Sequence, residues 1–189
     1  MDAHRSRSLG MAALIFILIC LTAAVFYGAA PVRADDVAKP DPIAIDGDTA
    51  TVDVRLYTDE HHTQKLEDPV TSTSTLYGAF SAQFKGGKAP TPEKNIAVYK
   101  LPDTIVVDDN DGGDLMEGSE ATAAKAGTWK IKDNKVIFAF DKNWLASNPA
   151  EIYVGANFSF ELADKGTGSG GNASVVFPGV GTIKIPIKD

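Results

Sequence analysis

The densest set of oxygen ligands in this chain is the run Asp108-Asp109-Asn110-Asp111-Gly112-Gly113-Asp114, with Glu117 and Glu120 following. Hard divalent cations take several oxygens from a flexible, glycine-containing loop. Asp108, Asp109, Asp111 and Asp114 are therefore the candidate ligands of an irregular calcium loop, and calcium is the one cofactor the residues suggest. The helix-loop-helix spacing does not fit. Counted from Asp109, Asp111 takes the third place and Glu120 the twelfth, but Gly113 takes the fifth and Asp114 the sixth, where glycine is required. No helical pattern flanks the run. The structural alternative is a solvated acidic turn between two strands.

Other chemistry is thinner. His61 and His62 follow Asp59 and Glu60, yet neighbours on an extended chain point to opposite sides, so the two imidazoles do not converge on one ion. No serine sits in a Gly-x-Ser-x-Gly elbow. Paired carboxylates for glycoside hydrolysis can be imagined in so acidic a chain, but nothing selects a pair. The expectation is a protein without a catalytic site, one that binds or displays. Asn157-Phe158-Ser159 and Asn172-Ala173-Ser174 match the glycosylation triplet, the first in mid-strand and the second in a glycine loop. Tyr77, Tyr99 and Tyr153 are expected on outer strand faces, where aromatic rings grip sugars or partner strands.

These residues sit behind an export leader. His4, Arg5 and Arg7 precede an almost wholly apolar stretch from Met11 to Phe26, and small residues lead to Val32-Arg33-Ala34. Residues 1–34 are expected to be a signal peptide forming an N-terminal helix, with cleavage between Ala34 and Asp35. An uncleaved anchor helix is the alternative reading. The single cysteine, Cys20, lies inside the apolar stretch and is lost with it. Losing the leader removes one acid, Asp2, and three bases, Arg5, Arg7 and Arg33, so the net charge of −7 becomes −9. That balance disfavours nucleic acid and anionic lipid, and leaves the leader as the only contact with a membrane. An exported domain with no disulfide fits a Gram-positive source, and its length suffices for one core.

The elements that would carry any site are strands. Residues 35–48, with Pro40 and Pro42, are expected to be a linker, and 49–189 one domain. Val52, Val54 and Leu56 alternate with polar residues; Leu76, Phe80, Ala82 and Phe84 share one face; so do Ile152, Val154, Ala156, Phe158, Phe160 and Leu162. Lys130-Ile131-Lys132 and Lys135-Val136-Ile137 flank Asp133-Asn134, a two-residue turn that sets Ile131 opposite Val136 and Trp129 opposite Phe138. Asn143 to Asn148 predicts one helical turn capped by Asn143 and ended by Pro149. Residues 166–171 predict a glycine-rich loop. About eight strands with one apolar face each need two facing sheets, an all-β immunoglobulin-like sandwich, or else a closed barrel.

Leu101-Pro102-Asp103-Thr104-Ile105, Gly127-Thr128-Trp129-Lys130-Ile131, Lys135-Val136-Ile137-Phe138-Ala139-Phe140 and Phe158-Ser159-Phe160-Glu161 together resemble the N-terminal immunoglobulin-like modules of Gram-positive surface adhesins and fimbrial proteins. The likeness covers residues 48–189. It implies an adhesin-type sandwich at the cell surface, neighbouring stalk domains in a longer protein, and attachment to a host matrix protein or glycan. The alternatives are a stalk or pilus-like subunit without its own ligand, and a calcium- or carbohydrate-binding domain. Two family features are missing. No Lys–Asn cross-link is expected, because the first strand carries Arg55 and no lysine, and Lys184 and Asn157 lie opposite their apolar faces. Leu101-Pro102-Asp103-Thr104 is not a sorting signal, since Ile105 stands where glycine is needed.

Overall fold

The computed structural model describes residues 41–117, 124–147, 151–163 and 171–188. In chain order its elements are β1 (Ile43–Ala44), β2 (Ala50–Tyr57), β3 (Val70–Thr71), β4 (Leu76–Phe84), β5 (Ile96–Lys100), β6 (Ile105–Val107), β7 (Gly112–Met116), β8 (Lys125–Lys132), β9 (Lys135–Phe140), α1 (Lys142–Ala146), β10 (Tyr153–Leu162), β11 (Gly171–Phe177) and β12 (Gly181–Lys188). The protein is all-β, with one short helix among the described residues. The described residues hold twelve strands where about eight were expected, because several are too short for alternation to reveal.

The most regular apolar alternations pair with one another. Antiparallel β4 and β10 set Val154 opposite Ala82, Ala156 opposite Phe80 and Phe158 opposite Gly78. On the other side of β4, β2 places Val54 opposite Phe80. With β6 they form a four-stranded sheet, β2-β4-β10-β6. A five-stranded sheet runs β1-β5-β9-β8-β7, and a three-stranded one β11-β12-β3. Three sheets thus stand where two were expected.

The strand faces that meet are apolar. Ring centroids of Phe80 lie 4.4 Å from Tyr99 and 5.8 Å from Phe138, joining the four-stranded sheet to the five-stranded one. Val175, Phe177 and Ile185 bring the third sheet into the same hydrophobic cluster. Burying each such side chain contributes about 1.5–3 kcal/mol. Among the described residues no polar or charged residue is buried.

The turn joining β8 to β9 follows the expected register, with Ile131 opposite Val136 and Trp129 opposite Phe138. Asp133 and Asn134 have φ of 51° and 57°, the left-handed values that a two-residue hairpin turn of matching twist requires.

Three expectations change. The linker does not extend to residue 48: Ile43–Ala44 pairs in parallel with β5, and Ile45 is buried, so these residues complete the sheet and core. Asp141, not Asn143, caps the helix, because its carboxylate accepts from the backbone N–H groups of Asn143 and Trp144. Tyr99 points inward rather than out. β5 has neighbours on both sides, its Ala97 and Tyr99 are buried, and the Tyr99 ring packs against Phe80. The leader helix, the Ala34–Asp35 cleavage site, Pro149 and most of the glycine-rich loop lie outside the described residues.

Candidate functional site

The acidic run begins where the chain leaves β6 in the four-stranded sheet and enters β7 in the five-stranded sheet. An Asp–Asn turn makes that crossing. The Asp108 carboxylate accepts from the backbone and side-chain N–H groups of Asn110, both at 2.8 Å, and the Asp111 N–H donates to the Asp108 carbonyl. Asp111 then stitches elements together. Its Oδ2 accepts from the Ser159 N–H of β10 at 3.2 Å, and its carbonyl accepts from the Ile131 N–H of β8 at 2.8 Å.

Asp108, Asp109, Asp111 and Asp114 do not gather into a cage. Gly112–Met116 is extended, so Asp114 is carried onto a strand opposite Thr128, where it pairs with Lys125 Nζ at 2.7 Å. Asp109 points to solvent. Among the described residues no group of three or more His, Cys, Asp or Glu side chains is placed to hold a metal ion. The described part of the run forms a hydrogen-bonded crossover turn, and the extended backbone of β7 carries Asp114 to Lys125. A shallow concavity of about 380 Å³ beside it is lined by Thr75, Val106, Asp108, Ser159 and Glu161.

The histidines diverge. His61 is exposed, 3.5 Å from Glu60. His62 takes φ of 56° and turns its ring edge-on to Tyr57 and Tyr77, with centroids 5.0 and 6.3 Å away. Its buried Nε2 has no hydrogen-bond partner. Tyr77 and Tyr153 lie on the outer face of the four-stranded sheet, towards opposite ends of the β4–β10 pair, and Tyr99 does not join them. Tyr77 is half-buried and Tyr153 is exposed, while Tyr99 is enclosed and donates its hydroxyl to the Pro178 carbonyl at 3.0 Å. Burial pushes the Tyr99 phenol well above its ordinary value of 10.0. Asn157 and Asn172 are both exposed on strands.

The outer face of the five-stranded sheet carries a feature that the sequence reading passed over. Lys100 of β5 stands opposite Lys135 of β9, and Lys135 opposite Lys132 of β8. The next row on this face is Val98, Ile137 and Lys130. All four lysines are exposed, and both aliphatic side chains are half-buried. Asn134, in the turn beside the row, donates from its side chain to the carbonyls of Leu101 at 3.1 Å and Pro102 at 3.2 Å. The Leu101 N–H returns a bond to the Asn134 carbonyl. Lys100 reaches Asp103 at 3.0 Å, and that ammonium, with Asn134, holds the Asp103 carboxyl below its usual range. The available signal was three lysines within six residues around the turn. The fourth arrives only through pairing with β5.

No protein-family model matches the chain, and no curated protein matches it.

Proposed function

We propose that this chain is an exported, non-enzymatic surface module: an immunoglobulin-like sandwich of adhesin type, delivered outside the cell by the leader at residues 1–34 and standing beside neighbouring domains of a longer surface protein. Its role is attachment to a host matrix protein or glycan. The observation that carries this reading is the division between inside and outside. The described interior is apolar throughout, while turns held by side chains such as Asp111 and Asn134 keep the strand faces rigid. A scaffold of this kind offers recognition through fixed outer surfaces. The basic, apolar leader and the adhesin-like strand segments support the same reading from the sequence.

The test is a solid-phase screen of the full chain against purified matrix proteins and an array of glycans. Saturable binding to one class supports an adhesin; uniformly negative wells overturn it.

A second reading, a stalk or pilus-like subunit, has one observation in its favour. β11 ends its sheet, and Val176 on it is 60% exposed. An unpaired strand edge is what chain-to-chain assembly uses. Sedimentation velocity across a wide concentration range distinguishes the two, since a stalk subunit associates with itself.

A further inference from the structure

We infer that the outer face of the five-stranded sheet is a docking surface for a linear polyanionic glycan, one carrying sulfate or carboxylate groups on successive sugar units. This deepens the adhesin reading and rests on it.

The row Lys100–Lys135–Lys132 is costly as pure structure. Like charges directly opposite one another on neighbouring strands destabilise a sheet. Here three ammonium groups stand in line across three adjacent strands, and Lys130 adds a fourth one row further along. One carboxylate offsets the Lys100 end of the row, and the others leave Lys132 and Lys135 unpaired among the described residues. Asp103 engages Lys100, Asp114 engages Lys125, and Asp133 sits exposed in the turn. Among the described residues no ion pair holds Lys130, Lys132 or Lys135. The chain around them is strongly acidic, at −7 overall. A basic row in that setting is a local attractor for anions.

Geometry narrows the partner. Neighbouring strands lie about 5 Å apart, so the row presents charges at the spacing of sugar units in an extended chain. The side chains of Val98 and Ile137 provide a shelf beside it for the apolar face of a sugar ring. An acidic peptide fits less well. β5, β9 and β8 are the inner strands of their sheet, so no free edge offers main-chain hydrogen bonds to an added strand. A single-stranded nucleic acid fits less well too, because the described residues of β5, β9 and β8 on this face include no aromatic ring for base stacking. The row is also preorganised, since Asn134 ties the hairpin tip to Leu101 and Pro102.

The experiment measures the full chain on immobilised heparin, with neutral dextran, polyglutamate and polyuridylate as competing probes. Heparin is expected to bind, and binding to weaken as salt rises. The double variant Lys132→Gln/Lys135→Gln should weaken it about tenfold, the loss of two exposed charge contacts. Its Tm should hold or rise, since repulsion is relieved. Lys88→Gln/Lys94→Gln, an equal charge change on an exposed loop, should leave binding unchanged. Equal losses from both pairs, absence of heparin binding at low salt, or equally tight binding of polyglutamate or polyuridylate would each overturn the proposal. Matrix-protein binding that survives the loss of heparin binding sinks the lysine row alone. Heparin binding through the row, by a chain that attaches to no cell or matrix, sinks the adhesin reading alone.

Discussion

The Tyr99 hydroxyl donates to the Pro178 carbonyl oxygen at 3.0 Å, so β5, an inner strand of the five-stranded sheet, holds the turn between β11 and β12. The ring itself is wholly enclosed against Phe80. Tyr99→Phe keeps the packing and leaves the Pro178 carbonyl without this donor. The expected cost is about 1–2 kcal/mol in urea unfolding. The same variant tests a pH effect. Because burial raises the folded-state pKa of Tyr99, its contribution is fully present below pH 10.0 and is lost as pH rises above that value. Wild-type stability should therefore fall above pH 10.0 more steeply than that of Tyr99→Phe; identical alkaline limbs would refute the burial argument.

Asn134 has two duties, and two substitutions separate them. Asn134→Gly keeps the left-handed backbone at φ 57° but loses the side-chain bonds to Leu101 and Pro102. Asn134→Ala loses those bonds and adds strain of about 1–2 kcal/mol. Alanine should therefore lower Tm more than glycine, with both below wild type. A glycine variant as stable as wild type would mean the clamp adds nothing.

Two glycines are required by their neighbours. A Cβ at Gly127 would stand 2.8 Å from Phe140 Cα and press on the Ala139 carbonyl oxygen, both backbone of the paired strand. A Cβ at Gly78 would meet the Phe158 ring at 2.5 Å. Backbone yields less readily than a ring end, so Gly127→Ala should destabilise more than Gly78→Ala, by an overpacking cost of about 1–3 kcal/mol or above. Thermal melts of the two variants check the order, and a Gly127→Ala protein as stable as Gly78→Ala would contradict it.

The acidic crossover turn should behave as structure. Asp111→Ala removes the acceptor for the Ser159 N–H and should cost about 1–3 kcal/mol. Asp109→Ala, at an exposed side chain, should stay within about 0.5 kcal/mol of wild type. Millimolar calcium should shift neither Tm. A calcium-dependent rise in wild type that Asp109→Ala abolishes would support the cation-loop reading.

Legibility followed the range of the physics. The β8–β9 hairpin could be placed with its register because Asp133 and Asn134 tolerate positive φ and the apolar positions on either side agree with that turn. The inward faces of β4 and β10 could be read because alternation needs only the local chain. The short strands β1 and β3 offered too few residues for a period to show, and β7 was hidden within the glycine-containing acidic run. Asp141 was missed as a cap because Asn143, two residues downstream, offered the same chemistry. At the candidate site, the carboxylates were visible but their directions were not. An extended β7 carries Asp114 to Lys125, and Asp111 finds Ser159, 48 residues along the chain.

Residue types and their period therefore settled that this chain would make strands, which faces of the longest ones would be apolar, and where one tight turn would fall. These properties depend on side-chain alternation and on the φ that a few residues tolerate. Strand order was decided by packing between distant segments. That order turned Tyr99 inward, scattered the acidic run and brought Lys100 level with Lys135 and Lys132. Each of those outcomes depends on which surface lies opposite, and a pairing across tens of residues leaves no local period to read.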